Sequence, residues 1–332
     1  MNKTSLDRII EQNQKIAITE TKNDAPKNPI LSIIILTYNH EGTIIQCLTS
    51  VLKQETSFSF EILLMEDDSD DDTRKICKQF AKNNPDKIRL FLNHRENNMR
   101  IWGGPTGMFN GLKAIQTARG KYMTVLEGDD YYSGLDKLEK QVSLLEQTNA
   151  DCCHTLWHNL EGNIMVPQPN GIAPDSSYFY LKPNKYRYFH TSTRIINTNV
   201  VKEIIEHFGY HAIRDSAVQM ILHSRYTVVV LCKHLSVYRK TGVGIHTSLS
   251  HRKRARQEVK LSQLLQKWLP EKMHSFTRRK WDWFARAYLP TVAQGRPRKW
   301  LGSLFTRIEM FFARSRYNLL CIEVSRNGTT YC

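Results

Sequence analysis

Glu127, Asp129 and Asp130 lie within Glu127-Gly128-Asp129-Asp130, so three carboxylates follow directly on the apolar run Tyr122-Met123-Thr124-Val125-Leu126. Like charges delivered together at a strand end repel unless a cation or proton is shared among them. Hard oxygen ligands of this kind suit Mg2+ or Mn2+, which bind through one or two carboxylates and fill their shells with phosphate oxygens and water. The chemistry is then that of a metal-assisted nucleotide site, with a solvated acidic turn as the plain alternative. A second acidic stretch, Glu66-Asp67-Asp68-Ser69-Asp70-Asp71-Asp72, ends another apolar run. An aspartate such as Asp67 can accept the imide N–H of a uracil or thymine ring, and Tyr38 can stack on or flank the base.

Positioning these groups requires strands that end together. Leu31-Ser32-Ile33-Ile34-Ile35-Leu36-Thr37 is a continuous β-branched run, the pattern of a strand buried on both faces of a parallel sheet. Ile44, Ile45, Leu48, Val51 and Leu52 recur at helical spacing after it. The pattern predicts a second strand over Phe60 to Met65, with Ser69 or Asp70 available to cap the following helix. That helix carries Ile76, Cys77, Phe80 and Ala81. A third strand is predicted over Ile88 to Leu92, then a loop with Gly103-Gly104, a helix through Met108, Leu112 and Ile115, and the strand into Glu127. Alternation of this kind predicts an α/β fold with a mostly parallel, doubly wound sheet. In such sheets ligands bind beyond the carboxyl ends of the strands.

The chain has 332 residues, with 41% hydrophobic and 24% charged, a globular composition. No apolar run reaches the length of a spanning helix, and the polar start lacks the apolar centre of a secretory signal, which predicts a cytoplasmic protein. Seven cysteines without a C-x-x-C pair read as reduced core residues. The formal charge of +15 is concentrated: residues 251–317 carry 17 Lys and Arg against 4 Asp and Glu. The expected organisation is a polar leader over residues 1–28 with little helix, a catalytic domain over 29–248, and a basic, largely helical extension over 249–332.

Thr37-Tyr38-Asn39-His40, Glu66-Asp67-Asp68-Ser69 through Thr73, and Leu126-Glu127-Gly128-Asp129-Asp130-Tyr131-Tyr132 resemble the successive signatures of the family-two nucleotide-sugar glycosyltransferases with a GT-A fold. Lys137-Leu138-Glu139-Lys140-Gln141 resembles the helix that follows the metal motif in bacterial members. The resemblance covers roughly residues 30 to 245. It implies that Asp67, with Tyr38 beside it, binds the nucleotide base. It implies further that Asp129, Asp130 and Glu127 hold Mg2+ or Mn2+ on the donor diphosphate; Glu127 stands where aspartate is commoner. The remaining aspartates of the 68–72 run are expected to be mostly solvated.

Phe189-His190-Thr191-Ser192-Thr193 reads as a strand entering the acceptor half. In similar proteins an aspartate at the place of Asp215 is the general base, which would take the acceptor hydroxyl proton during inversion at the anomeric carbon. Apart from that resemblance, Asp215 reads as a helix N-cap. Arg239, Lys240 and His246, around Gly242-Val243-Gly244, are candidates to close over the diphosphate. Arg239 comes first because a guanidinium pairs bidentately with phosphate. His154 and His158 are candidates to line the cleft.

In the basic extension, Trp300, Leu301, Leu304, Phe305, Ile308, Phe311 and Phe312 recur at helical spacing among arginines. Such a stripe suits a helix lying on an anionic membrane surface, or one packed on the body of the protein. The resemblance as a whole implies an inverting transferase using a nucleotide-sugar donor, most simply a UDP-sugar. Its acceptor would be a glycan or lipid-linked saccharide in capsule or lipopolysaccharide synthesis, with the enzyme peripheral on the inner membrane face. Three alternatives remain. One is nucleic-acid binding through the basic arm, with Trp268, Trp281, Trp283 and Trp300 as stacking surfaces; no nucleic-acid motif accompanies it. The others are a non-catalytic scaffold and a nucleotidyltransferase.

Overall fold

The structure, a computed structural model, describes residues 3–101, 104–168, 177–181 and 187–240, and beyond them 257, 261, 264, 265 and 267–269. The chain divides into two compact units, Met1–Ile245 and His246–Cys332. In the second unit the described Leu261, Leu265 and Leu269, four residues apart, are buried. The stripe from Trp300 to Phe312, with Trp281, Trp283, Gly103, His246 and the Gly242-Val243-Gly244 segment, lies outside the described residues.

The first unit begins with α1 (Ser5–Asn13) and β1 (Thr19–Glu20), followed by β2 (Leu31–Thr37), α2 (Ile44–Leu52), β3 (Phe60–Glu66), α3 (Thr73–Asn83) and β4 (Ile88–Leu92). A small hairpin, β5 (Arg100–Ile101) and β6 (Gly104–Pro105), precedes α4 (Met108–Thr117), β7 (Tyr122–Glu127), β8 (Tyr131–Tyr132) and α5 (Lys137–Thr148). The second half contains β9 (Cys152–Glu161), β10 (Ile164–Gln168), β11 (Tyr178–Tyr180), β12 (Arg194–Asn197), α6 (Thr198–Phe208), α7 (Asp215–Arg225) and β13 (Val228–Arg239). The main sheet runs β1-β4-β3-β2-β7-β12-β9-β13-β11, with β10 on β9 and β8 on β13. Strands β4, β3, β2 and β7 are parallel, whereas β12 is antiparallel to both β7 and β9.

From β2 the chain adds β3 and β4 on one side and then returns to place β7 on the other. The order therefore reverses between β2 and β7, and a crevice opens at their carboxyl ends. Every residue of β3 and nearly all of β2 is buried, as expected for strands covered on both faces. Ile44, Cys47, Leu48 and Val51 of α2 pack with Ile33, Ile35, Leu64 and Leu126 in the principal core. Cys47, Cys77, Cys152 and Cys153 are buried and unbridged.

Two local expectations are corrected. Residues 3–28 contain more structure than a polar leader with little helix. Thr4 and Asp7 form a capping box on α1, which buries Leu6 and Ile10 and packs on α4 and α6. Ser5 donates its N–H and hydroxyl to Glu206 on α6, both at 2.9 Å, and β1 pairs with β4. From Phe189 to Thr193, where a strand is expected, none forms. Thr193 Oγ1 donates to the His190 carbonyl at 2.7 Å, and Thr191–Thr193 close into a 3-10 turn, so the strand starts only at Arg194. Short hydroxyl side chains that bond the local backbone compete with the sheet ladder.

Candidate active site

The base end is built by the loops after β2 and β3. Asp67, almost fully buried, donates its N–H to the Thr37 carbonyl at 3.0 Å, so the two strand ends are locked in register. Its Oδ2 accepts from Arg95 Nη1 at 2.8 Å and Asn98 Nδ2 at 2.9 Å, while Oδ1 is buried without a hydrogen bond. Burial pushes the Asp67 carboxyl up, and the Asn98, Asn110 and Arg95 side chains oppose it. The Arg95 guanidinium also lies over the Tyr38 ring, 3.8 Å from its centroid. Asp67, Tyr38, Arg95 and Asn98 thus form one cluster with an acceptor oxygen to spare. Arg95 and Asn98 were not among the sequence candidates, because nothing in a polar loop marks which side chain turns toward the strand end.

The acidic run after Asp67 is open to solvent, as expected, with Asp70 and Asp72 exposed, yet its side chains also make specific bonds. Asp68 pairs with Arg74 at 3.1 Å, Asp70 accepts from the Tyr38 hydroxyl at 3.2 Å, and Asp71 accepts from the N–H groups of Glu41 and Thr73. Neither Ser69 nor Asp70 caps α3, since Asp72 takes that position without a side-chain hydrogen bond. The run instead fastens the loop carrying Tyr38 to the start of α3.

The second cluster lies at the end of β7. Gly128 donates to the Leu36 carbonyl at 2.9 Å, and a Cβ there would meet His40 Nδ1 at 2.6 Å and Thr37 Oγ1 at 2.7 Å. Only glycine lets the turn approach β2 so closely. Asp130 is buried and accepts at Oδ1 from the Arg239 N–H at 2.9 Å; its Oδ2 lies 3.6 Å from His190 Nδ1. Both Asp130 Oδ2 and Asp129 Oδ1 are buried without a hydrogen-bond partner. Glu127 is open to solvent but deep in the protein. Burial, followed by the charges of Asp215 and Asp129, pushes its carboxyl up to about 8. Burial, then Asp129 and Glu127, also pushes Asp130 well up. Among the described residues no three His, Cys, Asp or Glu side chains form a ready-made metal-holding group.

Asp215 is the first residue of α7, but Arg214 holds the cap position and no side-chain cap bond is made, so capping does not account for Asp215. Its charge acts on Glu127, His190 and Tyr238. Two further members of the site were not singled out from the sequence. The buried His190 stacks on Tyr238 with centroids 4.1 Å apart, and burial holds its imidazole down to about 4 against the pull of Asp215. Tyr238 is pushed up by burial and then by Asp130, Glu127, Asp129 and Asp215. Arg239 Nε donates to the Asp129 carbonyl at 3.0 Å, and its guanidinium also reaches Gln46. Arg239 therefore braces the acidic turn, and Lys240 pairs with Glu161.

His154 does not line the cleft. It is fully buried, bonded to Thr193 Oγ1 at 3.1 Å, stacked on Phe189 at 4.4 Å and edge-on to His223. Burial pushes His154 well below the ordinary imidazole range and His223 down to about 3. Both are neutral when folded and gain protons on unfolding, where the ordinary value near 6.5 applies. A depressed folded value means that their stabilisation is complete above that point and is lost as pH falls toward 3. Stability should drop by up to about 1.4 kcal/mol per pH unit for each histidine below roughly pH 6.5. Denaturant melts of wild type and His223→Gln across this range check it, the variant showing the shallower slope.

Residues 32–205 match the family described as Glycosyl transferase family 2. A UDP-Glc:alpha-D-GlcNAc-diphosphoundecaprenol beta-1,3-glucosyltransferase of Escherichia coli, WfgD, is 31% identical over 137 residues, 41% of this chain and 49% of that protein. The putative glycosyltransferase EpsE of Bacillus subtilis is 34% identical over 125 residues, 38% of this chain and 40% of that protein. The chain thus spans less than half the length of these two curated relatives. Among solved structures, S. aureus TarS 1-349 with UDP-GlcNAc superposes with a TM-score of 0.61 at 18% identity, covering 91% of this chain and 93% of that one. The mannosyltransferase PcManGT of Pyrobaculum calidifontis, with GDP-Man and Mn2+, gives 0.56 at 14% identity, covering 97% and 93%.

Proposed function

Because the chain belongs to glycosyl transferase family 2, we propose that it transfers a monosaccharide, with inversion, from a nucleotide-diphosphate sugar to a hydroxyl of a glycan or lipid-linked acceptor. The observation that carries this reading is the acidic cluster of Glu127, Asp129 and Asp130 at the end of β7, beside the strand ends that hold Asp67 and Tyr38, with the charge of Asp215 acting on Glu127. Asp67 Oδ1 accepts an N–H of the base, uracil being the simplest fit, and Tyr38 and Arg95 bound the ring. The acceptor oxygen attacks the anomeric carbon as its proton passes to an Asp215 carboxylate oxygen, and the bond from that carbon to the phosphate oxygen breaks on the opposite face. The nucleoside diphosphate leaves with that electron pair.

The donor set fits a hard divalent cation, because two buried carboxylate oxygens lack partners and the carboxylates raise one another. Asp130 and Asp129, with Glu127, would hold Mg2+ or Mn2+, which when bound neutralises charge on the departing diphosphate. Arg239 keeps the Asp129-Asp130 turn in place through the two bonds described. The reading of a UDP-sugar donor and a lipid-linked acceptor draws support from WfgD, which uses UDP-Glc and a GlcNAc-diphosphoundecaprenol, and from the complex of TarS with UDP-GlcNAc.

The acceptor belongs to a surface polysaccharide such as capsule or lipopolysaccharide, and the basic extension holds the enzyme against an anionic membrane face on the cytoplasmic side. No described helix is long and apolar enough to cross a membrane. Release of nucleoside diphosphate from UDP-, GDP- and dTDP-sugars, with and without undecaprenyl-linked saccharide acceptors, tests the reaction. Acceptor-dependent release from one donor is expected; the absence of release from every donor and acceptor pair contradicts it.

A further inference from the structure

His158 on β9 and His234 on β13 belong to adjacent parallel strands. Their ring centroids are 4.8 Å apart with the planes inclined at 38°. The sheet brings them together by an irregularity. Pairing of β13 with β9 slips between Leu231 and His234 and again between His234 and Ser236, leaving His234 opposite Leu156 between two breaks in register. Breaks of this kind re-aim a side chain. Here the re-aimed side chain is an imidazole that meets another imidazole. His158 Nδ1 is buried without a hydrogen-bond partner. Burial pushes both imidazoles below their ordinary range, His158 adding to the effect on His234, so both present lone pairs at neutral pH.

We propose that His158 and His234 form a two-imidazole site for a borderline d-block cation, Zn2+, Ni2+ or Cu2+, which clips β9 to β13. Two imidazoles at about 90–110° around a metal roughly 2.0–2.1 Å from each nitrogen have centroids about 4.5–5.2 Å apart, a range that contains the observed spacing. Nitrogen ligands select these ions over Mg2+ and Mn2+, so the clip and the carboxylate cluster take different metals. Water or an exogenous ligand fills the remaining positions. The clip fixes β13 a few residues before Tyr238 and Arg239, and a bound ion should raise the melting temperature.

The test uses the untagged full chain stripped with chelator and titrated calorimetrically with Zn2+ in saturating Mg2+, alongside His158→Asn, His234→Asn and Asp130→Asn. The expected result is one micromolar site, weakened by more than about tenfold in either histidine variant and unchanged in Asp130→Asn. Cu2+ electron paramagnetic resonance of the wild type should show two nitrogen ligands, and thermal melts should rise with Zn2+ only where both histidines are present. Equal Zn2+ affinity in the histidine variants, a site lost in Asp130→Asn instead, or no micromolar site at all overturns the proposal.

Discussion

Asp215→Asn is expected to lower turnover by about two to four orders of magnitude while leaving nucleotide affinity within roughly threefold, the pattern of a lost general base. The substitution keeps size and polarity at the start of α7, where Arg214 occupies the cap, so the fold has little reason to change. It removes the carboxylate that would take the acceptor proton. It also removes a negative charge that acts on Glu127, whose carboxyl should fall from its raised position near 8. Steady-state kinetics with a fixed donor, paired with calorimetric nucleotide binding, separate the two effects. Wild-type turnover in the variant would transfer the base role elsewhere, with Glu127 the first group to examine.

The second large effect concerns stability. Arg89 on β4 is almost fully buried and bridges Glu61 on β3 at 2.9 Å, Glu20 on β1 at 2.8 Å and the Thr117 carbonyl at 3.1 Å. Glu61 is completely buried and also accepts from Ser32 Oγ at 2.7 Å and the Arg119 N–H at 2.9 Å. Arg89→Ala leaves the buried Glu61 carboxylate with only the Arg119 guanidinium, 4.0 Å away, as counter-charge, which should cost about 3–5 kcal/mol. Removing the opposing charge as well, in Arg89→Met with Glu61→Gln, should recover much of that loss, because the cost comes from an unpaired buried charge. Equilibrium denaturation in urea checks both variants. A loss below about 1 kcal/mol for Arg89→Ala would mean that Arg119, with the surrounding hydroxyl and backbone donors, suffices for Glu61.

The parallel half of the sheet was legible because its strands are short apolar runs and its helices carry a clear apolar stripe. Leu31–Thr37, Ile44–Leu52 and Ile88–Leu92 have the bounds that the sequence suggests. The GT-A architecture followed from that alternation, together with the family signatures. Helix α1 was not legible. Its two buried residues, Leu6 and Ile10, are too few for a strong periodic signal, and their burial depends on α4 and α6 from distant parts of the chain. The 3-10 turn at Thr191–Thr193 was hidden for another reason, since β-branched threonines favour a strand until their hydroxyls find the local backbone.

At the site, the carboxylates were visible because acidic residues at strand ends are chemically conspicuous. Their partners were not. Arg95 reaches Asp67 across 28 residues of sequence, and Tyr238 joins the cluster by pairing of β13 with β8 and β9. His190 reaches Asp130 from a loop across the sheet. Such groups are defined by where a distant strand ends, and no local pattern announces them. Arg239 illustrates the difference within one residue: the guanidinium suggested phosphate, whereas its observed hydrogen bonds are to Asp129 and Gln46, with its backbone N–H on Asp130.

The most direct test of the donor site is calorimetric titration of the full chain with UDP, GDP, CMP and dTDP, with Mn2+ or with chelator, repeated on Asp67→Ala and Asp130→Ala. One nucleotide, UDP by the present reading, should bind in the presence of metal. Its affinity should weaken by more than about tenfold in each variant. Absence of binding by all four nucleotides, with or without metal, would contradict the assignment of Asp67, Asp129 and Asp130 to a nucleotide-diphosphate site.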